Sequence, residues 1–212
     1  MRPPPPKLAP KLILEGTRLT GKTELAFALN EHPRLVGPRK YRYHSPLISA
    51  EWCGFTNRPW GRGLINFAES EAELARETYS TWLRMFELQR YYSWLVDRFH
   101  LSTAAFQHRA GREFDFGWIE ERLRPLGFGL VLCLREPATF PAARAERLTV
   151  SGNPAQYDDL SIFVREQEQL RKLAARSVLP VLELQVAGRT EAELAEEVAD
   201  WCAASDLLGL RD

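Results

Sequence analysis

The sequence predicts a three-layer α/β fold, with a five-stranded, mostly parallel sheet and helices on both faces. Three observations predict it. Short apolar runs alternate with amphipathic stretches along most of the chain, the pattern of repeated strand–helix–strand crossovers. The first such run, Leu12-Ile13-Leu14, leads straight into a glycine-bounded segment and then into a helical pattern. Another, Trp94-Leu95-Val96, ends on an acidic residue, Asp97, as strands do where a parallel sheet meets its ligand.

The chain opens on Pro3, Pro4, Pro5, Pro6 and Pro10, which predict an extended polyproline tail over residues 1–10 and a single domain over 11–212. A strand at 12–14 is followed by a helix from Lys22 to about Asn30. A short strand is expected around Arg39–Tyr43, then an irregular stretch from His44 to Asn66 rich in glycine, proline and aromatics. Residues 69–90 read as a long amphipathic helix opened by Glu69-Ser70-Glu71. The strand at 94–97 and a helix from about Leu101 to Arg109 come next. A helix near Trp118–Leu123 precedes a strand at Gly129–Leu134. Helices at about 138–148 and 158–176, a strand at 181–184 and a helix from Thr190 complete the order.

Composition narrows the function. The 212 residues are 45% hydrophobic and 26% charged, which excludes collagen, coiled coil and wholesale disorder. With 28 basic and 28 acidic side chains the net charge is zero, which argues against a general coat for nucleic acid or anionic membrane. No signal-like stretch is read at the N-terminus, and no apolar run is long enough to span a bilayer, so the expectation is a soluble, cytoplasmic protein without a membrane partner. Cys53, Cys133 and Cys202 lie far apart without zinc-site spacing and read as reduced, mostly core thiols.

The segment Gly16-Thr17-Arg18-Leu19-Thr20-Gly21-Lys22-Thr23 is G-x-x-x-x-G-K-T, the phosphate-binding P-loop, and it makes the expected architecture a P-loop NTPase fold. Its glycines let the backbone wrap a phosphate chain so that N–H groups point inward. The following helix aims its positive end at the same phosphates. Lys22 then supplies a cation for the β- and γ-phosphates, and the Thr23 hydroxyl a ligand for Mg²⁺. Only five lysines occur in the chain, which singles out Lys22. At the other strand edge Asp97 would hold Mg²⁺ or take a proton, and Arg98 would fork onto phosphate oxygens. ATP and Mg²⁺ are the expected cofactors.

Asp97-Arg98-Phe99-His100-Leu101-Ser102-Thr103-Ala104-Ala105-Phe106-Gln107 resembles the D-R-[YHF]-x-x-S-x-x-A-[YF]-Q segment of thymidylate kinases, and Leu14-Glu15-Gly16 resembles their approach to the P-loop. The resemblance spans roughly residues 11–205 and implies a nucleotide or nucleoside acceptor, with deoxynucleoside kinases as relatives. It implies catalytic roles for Arg144 and Arg147 as arginines of a small lid and for Glu15 as a proton acceptor beside the phosphates, the other reading of Glu15 being a structural partner for Arg98 or a loop amide. It places Arg76, Ser102, Gln107 and Tyr43 on the acceptor side and Thr190 on the cofactor side. Two departures bear on specificity. Arg18 stands where that family carries an acidic contact to the acceptor sugar, and Tyr43-His44-Ser45-Pro46 stands where it has Arg-Glu-Pro after the second strand.

Aromatics and arginines mix in Tyr41-Arg42-Tyr43-His44 and at Trp52, Phe55, Arg58, Trp60 and Arg62, a composition that suits either base stacking and phosphate holding or a loop plugged into the core. The alternatives to a nucleotide acceptor are an antibiotic, another metabolite or a modified base in DNA, nucleic acid being the less favoured partner. A nucleotide-dependent switch fits less well, because N-K-x-D and L-S-G-G-Q are both absent. Part of an apolar stripe on the long helices is a candidate homodimer surface.

Overall fold

The computed structural model describes residues 10–35, 47–59, 61–90 and 92–207. Within them the strands are β1 (Lys11–Glu15), β2 (Leu47–Ser49), β3 (Trp94–Asp97), β4 (Phe128–Leu134) and β5 (Val181–Gln185). They form one sheet in the order β2-β3-β1-β4-β5, and every pairing is parallel. The helices are α1 (Lys22–Glu31), α2 (Ala72–Leu88), α3 (His100–Arg109), α4 (Gly117–Leu123), α5 (Phe140–Leu148), α6 (Ser161–Ala174) and α7 (Glu191–Ala204).

A central parallel strand is covered on both faces and so reads as an unbroken apolar run. β4 is the clearest case, with all seven residues buried. On one face Leu83 of α2, Leu101 of α3, Ile119 of α4 and Leu170 of α6 pack against Ile13, Val96 and Leu132. On the other, Leu25 and Leu29 of α1 and Leu194 and Val198 of α7 close over Leu12, Leu14 and Val131. A third cluster of Phe140, Tyr157 and Phe163, with Leu148, ties α5 to the start of α6 as a lid, and Leu19 of the loop after β1 packs against it.

One strand departs from its expected place. β2 lies at 47–49, inside the stretch read as irregular, while the expected strand at 39–43 lies outside the described residues. β2 is a three-residue, half-buried edge strand, too short for alternation to register in sequence. The tail falls outside the described residues except for Pro10, which belongs to the fold: its carbonyl accepts from the Trp94 N–H and the Ser93 hydroxyl. None of the described helices is long and apolar enough to cross a membrane.

Candidate active site

The register brings Leu14 beside Asp97 and Asp97 beside Ser49, so β1, β3 and β2 deliver their last residues to one sheet edge. The P-loop leaves β1 at this edge. Gly16 has φ +150°, and a Cβ there would lie 2.7 Å from the Cys133 carbonyl of β4, so only glycine fits. Gly21 is left-handed, φ +66°, and caps α1 without any side chain, which leaves the first-turn N–H groups of that helix facing the loop. Lys22 is buried and its ammonium donates to the Thr17 carbonyl at 2.8 Å, curling back over the loop.

Asp97 and Thr23 meet: the Thr23 hydroxyl donates to Asp97 Oδ2 at 2.8 Å. Asp97 Oδ1 is buried without a hydrogen-bond partner, and a bare carboxylate oxygen on a residue already paired with the Thr23 hydroxyl suits a hydrated divalent cation. No cluster of three or more acidic, histidine or cysteine ligands occurs among the described residues, so such a cation would rely on phosphate oxygens and water. These groups fit Mg²⁺.

Arg98 holds a left-handed backbone, φ +58°, and its buried guanidinium donates to Ser102 Oγ at 2.9 Å and to Glu166 of α6 at 2.6 Å. Burial works against its charge, but Glu166, Glu51, Glu15 and Asp97 outweigh that and raise its pKa above the usual arginine value. Glu51, the second residue after β2, reaches Arg98 at 3.8 Å and Arg18 at 2.9 Å. Burial pushes the Glu51 carboxyl up, yet Arg98 and Arg18, with Lys22 and Arg147 beyond, hold it below the usual carboxylate range.

Three consecutive loop residues are tied to other segments. The Thr17 hydroxyl donates to Glu166 at 3.1 Å, Arg18 donates to Gln156 before α6 at 2.6 Å, and the Leu19 carbonyl accepts from Arg135 at 2.8 Å. Beside this loop opens a cavity of about 540 Å³, lined among others by Arg18, Glu51, Arg98, Phe106, Arg109 and Glu166. Its outer wall is an antiparallel turn that closes at Gly54 and Gly63, with Arg58 and Arg62 lining the cavity from it.

No protein-family model matches the chain, and no curated protein matches it by sequence. Solved structures do match. YorR from Bacillus subtilis, in complex with phosphorylated GDP, aligns over 92% of this chain and 96% of its own, at 15% identity and a TM-score of 0.61. A gluconokinase from Sinorhizobium meliloti 1021 aligns over 94% of both chains at 14% identity and a TM-score of 0.50. The chain has the P-loop kinase fold. A thymidylate kinase from Ehrlichia chaffeensis also aligns, over 90% of this chain and 96% of its own, at 15% identity and a TM-score of 0.47. At these identities the likeness is one of fold.

Within this P-loop kinase fold, several residues expected at the site are engaged elsewhere. Glu15 is fully buried: one oxygen accepts from the N–H groups of Phe99, Leu101 and Ser102, the other from the Ser102 hydroxyl. It anchors the N-terminus of α3, which corrects the expectation of a proton acceptor. Ser102 is spent on Glu15 and Arg98, and buried Gln107 clamps the carbonyls of Ile65 and Phe67, so neither faces the cavity. Arg76 lies on the exposed side of α2, with its guanidinium 5.5 Å from the Trp118 ring centre. Arg18, expected among the loop's cofactor contacts, turns to the cavity instead.

Arg144 and Arg147 both reach the lid rather than open space. Arg144 holds the Tyr157 carbonyl at 2.8 Å, and Arg147 the Tyr157 hydroxyl at 3.3 Å with Glu24 of α1 at 3.9 Å. Thr190 caps α7 in a reciprocal pair with Glu193. Tyr43 and Trp60 lie outside the described residues. Sequence reasoning missed Glu51 and Glu166. Glu51 would have been visible had β2 been placed at 47–49, because the residues after that strand are then Ala50-Glu51-Trp52. Glu166 carried no signal: it sits in an amphipathic helix as one acidic residue among several.

Proposed function

We propose that the protein is an ATP- and Mg²⁺-dependent phosphotransferase that moves the γ-phosphoryl group to an anionic, nucleotide- or nucleoside-like acceptor held in the cavity beside the P-loop. One observation carries this reading: Lys22, Thr23 and the bare Asp97 oxygen stand at the same sheet edge onto which the arginine-lined cavity opens. The loop backbone and the uncapped start of α1 bind the donor's phosphates. To reach them, Lys22 exchanges the Thr17 carbonyl for phosphate oxygens. Thr23 and Asp97 would hold Mg²⁺, which neutralises charge on the transferring group when bound.

On the acceptor side Arg18, Arg58, Arg98 and Arg109 outnumber the acidic Glu51 and Glu166, which favours an acceptor bringing negative charge. Glu51 is the better-placed proton acceptor. Both carboxylates line the cavity and both pair with arginine, but Glu51 is about a third exposed, whereas Glu166 is nearly buried between Arg98 and Thr17. The test is ADP release with ATP, Mg²⁺ and a panel of nucleosides, nucleoside monophosphates and gluconate. Release no faster than with water alone, across that panel, would count against the reading.

Two variants probe the two halves. Asp97→Asn keeps the shape and one acceptor oxygen but loses the charge, and is expected to raise the Mg²⁺ needed for half-maximal rate while lowering kcat by about 10²-fold. A Mg²⁺ titration of ADP release reads both. Arg18→Ala removes the cation that bridges Glu51 and Gln156. KM for the acceptor is expected to rise roughly tenfold with KM for ATP changing much less, the worth of one charge-assisted contact.

A further inference from the structure

Trp52 is the most exposed large hydrophobic side chain of the described residues, at 76%, and it lines the same cavity as Arg18, Glu51 and Arg98. Its backbone is nevertheless well held. It ends the short helical turn Ala50–Trp52, its carbonyl accepts from the Gly54 N–H at 3.0 Å, and the Cys53 carbonyl accepts from Leu64 at 2.9 Å. An indole left in water on a fixed backbone is a ready platform for a flat partner, since little ordering remains to be done on binding. Neighbouring guanidiniums complete the picture. Arg109 stacks 4.9 Å from the Phe106 ring and lies 4.0 Å from Glu166 while half exposed, and no described residue pairs with the Arg58 guanidinium.

We propose that Trp52 determines acceptor specificity by stacking on a flat heterocycle, while Arg58 and Arg109 hold a phosphate carried by the same molecule. The acceptor is then a heterocycle-bearing phosphate rather than a ring-free acid, whose charge the arginines alone would satisfy and which would leave the indole in water. This rests on the cavity being the acceptor site of the proposed kinase, and it is tested by binding so that it stands or falls separately from phosphoryl transfer.

The experiment titrates the full chain with thymidine monophosphate, guanosine monophosphate, a short single-stranded oligonucleotide and glycerol 3-phosphate, reading tryptophan emission and calorimetric Kd. The same titrations are made on Trp52→Phe and Trp52→Ala, whose unfolding temperatures are checked against the parent. Ring-bearing phosphates are expected to change the parent's emission, and Trp52→Phe to lose that change yet bind within about twofold. Trp52→Ala should bind the ring-bearing phosphates about tenfold more weakly, the usual loss of one stacking partner. Glycerol 3-phosphate should bind all three proteins alike. Tighter binding of the mononucleotides or of the oligonucleotide tells whether the heterocycle comes free or within a strand, and either supports the proposal. Equal affinity of Trp52→Ala and the parent for ring-bearing phosphates overturns it, as does an equal loss for glycerol 3-phosphate.

Discussion

Lys22→Ala is expected to lower phosphoryl transfer by roughly 10³-fold while the chain stays folded. The ammonium is buried, and in the structure its hydrogen bonds go only to neutral acceptors, the Thr17 carbonyl at 2.8 Å and the Thr20 hydroxyl at 3.4 Å. Such a side chain adds little to stability, because one hydrogen bond to a neutral acceptor is worth about 1 kcal/mol. Its value rises only when negative charge gathers on the transferring group, so its removal acts on the transition state far more than on substrate binding. ADP release in the presence of ATP, Mg²⁺ and the best acceptor measures the loss, and thermal unfolding checks the fold. Undiminished turnover would remove the basis for the kinase reading.

Glu15→Ala should do the reverse, unfolding the protein at a lower temperature before it alters any chemistry. The change strips the acceptor from three N–H groups at the start of α3 and from the Ser102 hydroxyl, all buried. Leaving that many donors unpaired costs about 3–5 kcal/mol. For a domain of this size that corresponds to a fall of about 10 °C in Tm. Glu15→Gln keeps one carbonyl oxygen for the N–H groups, and is expected to lose less than half as much. Differential scanning calorimetry of the two variants is the measurement. A Tm equal to the parent's, with kcat alone reduced, would restore Glu15 as a proton acceptor.

The contrast between these two residues also marks how far sequence reading carries. Lys22 was legible because the P-loop is contiguous, and its chemistry needs only its neighbours in the chain. β4 and α6 were legible because burial on two faces or one imposes a run or a period. β2 was not, since three half-buried residues at a sheet edge leave no pattern, and with it went Glu51. Pairings across the fold were equally hidden. Thr17 and Glu166 are 149 positions apart, and Arg98 and Glu166 are 68 apart, so only the packing of α6 on α3 brings them together. Ser102 and Gln107 are likewise held inward by distant partners, Glu15 for the one and the Ile65 and Phe67 carbonyls for the other, although their segment resembles an acceptor-side motif.

The ties from Thr17, Arg18 and Leu19 to α6, Gln156 and Arg135 give donor and acceptor a common mechanical element. The loop whose backbone would receive ATP is also the loop whose Arg18 side chain faces the cavity, so its conformation enters both equilibria. Were the loop to settle differently with ATP in place, the proposed donor and acceptor sites would be coupled, and thermodynamic reciprocity would fix the form: whatever factor ATP imposed on the affinity for the acceptor, the acceptor would impose on the affinity for ATP. A change at Gln156, far from the donor in sequence and touching no part of the glycine-rich backbone, would then act first on acceptor affinity through Arg18, and on ATP affinity only by the smaller share that the loop passes on.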